Sequence, residues 1–210
     1  GRFSEWAVVP GELCYFAERQ TGPGPMAAEG DLSYLYNTDS FLGSMSSILY
    51  SKGLVFAPSE MDTSIRPGWF WHREEEPKSL EKLFQIYLSS VGGNACLNLN
   101  IPPTRDGLLD ERDVKRLREF RELLDREFGH PIPGKVEKLD TGHPTQPEYL
   151  VTLAEPVSQV KYVELKEDIA RGQRVESFRV EAMFSSGGQF PLFQGTVIGN
   201  RKICALTDPF

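Results

Sequence analysis

A chain of 210 residues, 40% hydrophobic and 25% charged, has the composition of a soluble globular protein and the length for one or two domains. Its 30 acidic residues outnumber 23 basic ones for a net charge of -7, which argues against a general nucleic-acid binder. No run approaches the ~18 apolar residues of a membrane span, so no membrane partner is expected either.

The run EWAVVP (Glu5 to Pro10) reads as a strand stopped by Pro10-Gly11. Because a strand-like run is already under way at GRFSEWAVV, the chain is expected to start inside a domain. No targeting segment assigns a compartment, so secreted, periplasmic and cytoplasmic locations all stay open. Residues 22–31, with two Pro-Gly-type breaks, read as a long loop. Asp39 or Ser40 is placed to cap a helix from Phe41 to about Lys52, ended by Gly53, and LVFAP (Leu54 to Pro58) reads as a buried strand.

Ser79 then caps a helix in which Leu80, Leu83, Phe84, Tyr87, Leu88 and Val91 recur at helical spacing before Gly92-Gly93. The strand ACLNLNIPP alternates Leu97, Leu99 and Ile101 with Asn98 and Asn100, so the asparagines share the face opposite the leucines. Asp110 caps a charged helix whose stripe is Val114, Leu117, Phe120, Leu124 and Phe128, with its charges expected on a solvated outer face. Strand, helix, strand, helix is the rhythm of an α/β domain with parallel strands. After HPIPGK the rhythm changes to short β-rich runs separated by Gly, Pro, Asp and Asn, the pattern of a β-sandwich. The expected fold class is therefore α/β plus all-β: 1–130 as part of a β/α barrel and 134–210 as a β-sandwich.

The chemistry-bearing stretch is SEMDTSIRPGWFWH, Ser59 to His72. It gathers Glu60, Asp62, Arg66, Trp69, Trp71 and His72 around a Pro67-Gly68 bend. Carboxylates handle protons and hydroxyls, and flat indole faces cover the C–H surface of a sugar ring, so carbohydrate chemistry is one reading. A core loop with an ion pair and buried rings is the other. If the stretch is the loop after LVFAP in a barrel, Glu60 and Asp62 are aimed at the barrel mouth. Arg66 then either binds a carboxylate bidentately or hydrogen-bonds sugar hydroxyls. Asp62 is expected to anchor the loop through backbone amides. Cys14, Cys96 and Cys204 are far apart without CxxC or CxxH spacing, and His72, His130 and His143 have no ligand partner at useful spacing, so no metal and no cofactor are expected.

These motifs, in this order, resemble glycoside hydrolase family 29, the α-L-fucosidases. The residues that carry the resemblance are RFSEWAVVP, PSEMDTSIRPGWFWH and KSLEKLFQIYLSSVGGNACLNLNIPPTRDGLLDERDVKRL. The likeness is closest to the subgroup that prefers branched α-1,3/1,4-linked fucose, and it runs from Gly1 to Phe128. VKYVELKEDIARGQRVESFRVEA and GTVIGNRKI resemble the β-sandwich that follows the barrel in these enzymes. The resemblance implies a retaining mechanism, with an aspartate nucleophile and a glutamate acid/base. No residue here matches the nucleophile's motif, so this is expected to be a C-terminal portion whose partner is the missing N-terminal barrel part of the same enzyme. Glu5 and Glu60 are the catalytic candidates; Asp62, Arg66, Trp69, Trp71 and His72 are the substrate-binding ones, for a fucosylated oligosaccharide or glycoconjugate. The alternatives are a carbohydrate-binding sandwich, for which Phe190 and Phe193 are the main exposed aromatics, and a purely structural sandwich.

Overall fold

The protein is described by a computed structural model over residues 6–10, 51–56, 60–171, 174–183 and 187–206. Glu5, the loop at 22–31 and most of the helix expected from Phe41 lie outside these residues. Two strands come first, β1 (Trp6–Pro10) and β2 (Ser51–Phe56), paired antiparallel from Trp6↔Phe56 to Pro10↔Ser51 with a register shift at Val9/Pro10. Proline has no N–H to give the ladder, which fits the break there. Ser51 and Lys52 are thus strand residues, and the helix foreseen through Lys52 does not include them.

The next unit has the expected rhythm. Strand β3 (Glu60–Ser64) leads through helix α1 (Leu80–Ser90) to strand β4 (Cys96–Asn100), which pairs with β3 in parallel. Helix α2 (Glu111–Phe128) follows. Both helices begin where their caps predict. Ser79 Oγ accepts from the Lys82 amide, and the Asp110 carboxylate accepts from the Arg112 amide, each satisfying an N–H that the first turn leaves open. Acidic Glu81, Glu111 and Asp113 sit in the first turns, where the helix dipole favours them.

The sheet has two unlike faces. Parallel register sets Glu60, Asp62 and Ser64 beside Cys96, Asn98 and Asn100, while Met61, Thr63, Leu97 and Leu99 point the other way. The chain continues on that second side into Ile65, which with Leu83 and Phe120 forms a buried cluster packed by Leu80, Tyr87, Leu99, Ile101, Leu117 and Leu124. Each fully buried Leu or Ile here contributes roughly 2 kcal/mol of transfer free energy. The helices therefore cover the apolar face and leave the polar one uncovered by them.

The β-rich half contains three antiparallel pairs: β5 (Gly134–Leu139) with β6 (Glu148–Leu153), β7 (Tyr162–Leu165) with β10 (Lys202–Ala205), and β8 (Phe178–Met183) with β9 (Gln189–Gly195). Strands β6 to β10 overlap the short β-rich runs of the sequence, whereas β5, which begins at Gly134 of the HPIPGK boundary, was not foreseen. Among the described residues no ladder joins the pairs into larger sheets. Phe193, foreseen as exposed, is half-buried and stacked on Phe178 at 6.0 Å, whereas Phe190 is exposed.

Strand β10 ties this half to α1. The Ile203 amide donates to Gly92 O at 2.9 Å, and Asn94 Oδ1 accepts from the Asn200 amide at 2.7 Å. Arg201 donates to Tyr87 OH at 2.8 Å and lies over the Tyr87 and Phe128 rings, and Phe128 meets Tyr162 at 5.2 Å. Asn94 and Gly199 face each other with positive φ, and a Cβ on Gly199 would come 2.2 Å from Asn94 Nδ2. Gly199→Ala is therefore expected to cost on the order of 1–3 kcal/mol by strain and clash together, read as a lowered melting temperature. An unchanged melt would show that the Asn94 seam bears no load.

Candidate functional site

The stretch that carries the chemistry divides into two structural parts. EMDTS is itself strand β3, not a loop after β2, because its alternating side chains complete a parallel ladder with CLNLN. Residues 65–79 form the connection to α1, with the Pro67-Gly68 bend, Trp69, Phe70, Trp71 and His72 beyond the strand's C-terminal end. Four residue steps of ~3.3 Å put Glu60 about 13 Å from Ser64 along the strand. Glu60 thus starts the strand and the tryptophans follow its end.

On the polar face the asparagines are structural in their bonding. Asn98 Nδ2 donates to Asp62 Oδ1 at 2.8 Å, and Asn100 Nδ2 donates to Ser64 Oγ at 3.1 Å and to the Trp69 carbonyl at 2.9 Å. Asp62 is held by a side-chain amide of the neighbouring strand, which replaces the backbone-amide anchoring expected of it. Glu60 is exposed and forms no ion pair with a described residue.

Arg66 is fully buried and turned inward. Its Nε donates to both Asp113 oxygens, at 3.1 and 2.8 Å, and its Nη1 donates to the His72 carbonyl at 3.0 Å and to the Glu75 carbonyl. Its Nη2 lies 3.0 Å from Asp110 Oδ2, an ion pair without hydrogen-bond alignment. The guanidinium is fully buried against the Asp113 and Asp110 carboxylates, so the carboxylate alternative is the one the geometry shows. Trp71 is equally occupied: its Nε1 donates to Asp110 Oδ2 at 2.9 Å, and the Arg66 guanidinium carbon stands 6.0 Å from its ring centroid. Both were substrate-binding candidates with a structural alternative, and their hydrogen bonds among the described residues are those of the structural one. Trp69 is 55% exposed and Phe70 79%, while the His72 side chain is exposed and its carbonyl serves Arg66.

The partners of this loop come from α2. Asp113, on a helix expected to carry only solvated charges, is fully buried against Arg66. Arg112 donates to both Asp110 oxygens, to Glu76 Oε1 at 2.6 Å and to the Arg73 carbonyl at 3.1 Å. Its guanidinium holds the Asp110 carboxyl well below the usual carboxylate range, against the opposing effect of burial and with help from the Trp71 N–H. A carboxylate depressed in the folded state adds stability that is complete above its unfolded pKa of ~3.9 and is lost as pH falls toward the folded value. The urea midpoint is therefore expected to be insensitive to this group down to about pH 4 and to fall below it. Asp110→Asn should flatten that acid limb, and an identical limb in the variant would contradict the assignment.

Residues 46–127 match the family model described as α-L-fucosidase. Alpha-L-fucosidase 1 of Arabidopsis thaliana is 32% identical over 72% of this chain and 35% of its own length. A Bacteroides ovatus crystal structure put forward as an α-L-fucosidase is 32% identical and covers 100% of this chain and 35% of its own, with a TM-score of 0.69. The chain belongs to the α-L-fucosidase family. A glycoside hydrolase 29 fucosidase of Ruminococcus gnavus, solved in complex with fucose, is 27% identical with a TM-score of 0.66 and covers 76% of this chain and 37% of its own. The chain spans about a third of the length of the curated relatives it matches.

The structure brings Glu60, Asp62, Asn98 and Asn100 onto one face and gathers Arg66 and Trp71 behind the loop. The residues missed by sequence reading are Asp110, Arg112 and Asp113. Their one available signal was the three-residue spacing of Asp110 and Asp113, which sets two carboxylates on one side of the helix start.

Proposed function

We propose that this chain is the C-terminal part of a retaining α-L-fucosidase that releases L-fucose from branched α-1,3/1,4-fucosylated glycans. In this reading residues 1–130 supply the last units of a β/α barrel, 134–210 form the sandwich beside it, and the aspartate nucleophile lies on the part of the enzyme outside this chain. The observation that carries the proposal is the two-faced β3–β4 ladder. Its helix-packed side is apolar, and its other side presents a carboxylate and amides that run toward an exposed indole. In a barrel the inward face of a strand leads to a site beyond its C-terminal end, the end of β3 at which Trp69 stands.

Chemically, the aspartate attacks the anomeric carbon as the glycosidic C–O bond breaks, and a glutamic acid protonates the departing oxygen. Water deprotonated by the same glutamate then releases fucose. Glu60 is the candidate for a sugar-facing carboxylate, with free oxygens on the polar face; Glu5 is the second candidate for proton transfer. Glu60 and Ser64 lie about 13 Å apart along β3 by strand length, and the Trp69 carbonyl shares the Asn100 amide with Ser64, so Glu60 and Trp69 belong to opposite ends of the strand. The sugar next to fucose is assigned to Trp69, beyond the C-terminal end of β3, and Glu60 is kept as the carboxylate candidate on the face that leads there.

The test is fucose release by the full-length protein that contains this chain, from an α-1,3/1,4-fucosylated trisaccharide and from a linear α-1,2-fucosylated disaccharide. Preference for the trisaccharide is expected. Equal or reversed preference would overturn the branched-glycan assignment, and no release from either would overturn the activity. The structural β10–α1 seam fits a bracing role for the sandwich better than a lectin role.

A further inference from the structure

The connection after β3 is held by three clamps that all end on the first turn of α2. From inside, Arg66 grips the His72 and Glu75 carbonyls while its Nε is paired with Asp113. From the side, the Trp71 N–H is paired with Asp110. From outside, Arg112 binds the Arg73 carbonyl and Glu76, and closes on Asp110. A fourth contact, from Asn100 to the Trp69 carbonyl, fixes the tip against β4. At the tip of the loop, where the polar face of the ladder ends, Pro67, Trp69 and Phe70 are exposed, and the His72, Arg73 and Glu74 side chains are exposed further along it.

We propose that the first turn of α2 is a positioning device for Trp69: Asp110, Arg112 and Asp113 act on substrate binding only through the loop, by holding the indole where the sugar next to fucose docks. The inference rests on the fucosidase reading above and assigns to three residues with no substrate contact a role in recognising the second sugar. The physical basis is preorganisation. A loop with a Pro-Gly bend has many conformations to lose on binding, and clamps made in the free enzyme remove that cost beforehand. A buried arginine and aspartate are expensive to desolvate, so they do not by themselves stabilise the fold over an apolar pair. Pinning two loop carbonyls is what this pair adds. Arg112 is the useful handle, because its side chain is 35% exposed and its loss leaves the Arg66–Asp113 pair intact.

The experiment is a double-mutant cycle in the full-length enzyme, with Arg112→Gln, Trp69→Ala and both together. Each is assayed on the branched trisaccharide and on α-L-fucosyl fluoride, which has no second sugar. Trp69→Ala is expected to raise KM for the trisaccharide roughly 3- to 10-fold, the range of one aromatic contact. Arg112→Gln should raise the same KM by a similar or smaller factor while leaving turnover of the fluoride unchanged. The double variant should be no worse than Trp69→Ala alone, because the clamp has no tip left to hold. Multiplying effects, or an Arg112→Gln loss equal on both substrates, would overturn the positioning role while leaving the fucosidase reading in place. An unchanged trisaccharide KM in Trp69→Ala would overturn the placement of the second sugar, and the positioning role with it.

Discussion

Asp113→Ala is expected to destabilise the protein by roughly 3–5 kcal/mol, the largest effect of any single substitution in this region. The reason is the charge left behind. Arg66 is fully buried, and two of its closest contacts are the Asp113 oxygens. Truncating the carboxylate removes both and leaves a guanidinium with no water to replace them. Urea unfolding of the full-length protein measures the loss. The double replacement Arg66→Met with Asp113→Leu should recover much of the stability, since exchanging a buried pair for apolar residues of similar volume is often neutral. A single variant within about 1 kcal/mol of wild type would mean that solvent reaches Arg66.

Glu60→Gln carries the largest expected effect on activity. The substitution is isosteric and exposed, so stability should stay within about 0.5 kcal/mol. If Glu60 moves the proton or holds a sugar hydroxyl that strengthens in the transition state, turnover falls by a factor on the order of 10² to 10⁴ with KM little changed. Wild-type turnover would remove Glu60 from the site and leave proton transfer to Glu5 or to a residue outside this chain.

The parts of the fold set by local chemistry were legible in the sequence. Ser79 and Asp110 announce their helices through side chains that only a helix start can use, and the LNLN alternation declares a two-faced strand. The parts set by distant partners were not. EMDTS carries two carboxylates in five residues and reads as a loop until CLNLN supplies the parallel partner that makes it a strand. Asp113 sits among charges on a helix whose periodicity predicts a wet face, and its burial follows from an arginine 47 residues away. Arg66 and Trp71 were recognisable as chemically rich. Pattern alone could not show that their hydrogen-bonding groups face inward, since the partners lie on another helix. The antiparallel β1–β2 pair departs from the parallel rhythm for the same reason, because strand direction is decided by neighbours in space.

The measurement that tests the central claim most directly is proton NMR of fucose as it is first released from the branched trisaccharide by the full-length protein. A double displacement gives α-L-fucose first, with the β anomer growing in only by mutarotation. If β-L-fucose appears first, or no fucose appears, the retaining fucosidase account is contradicted.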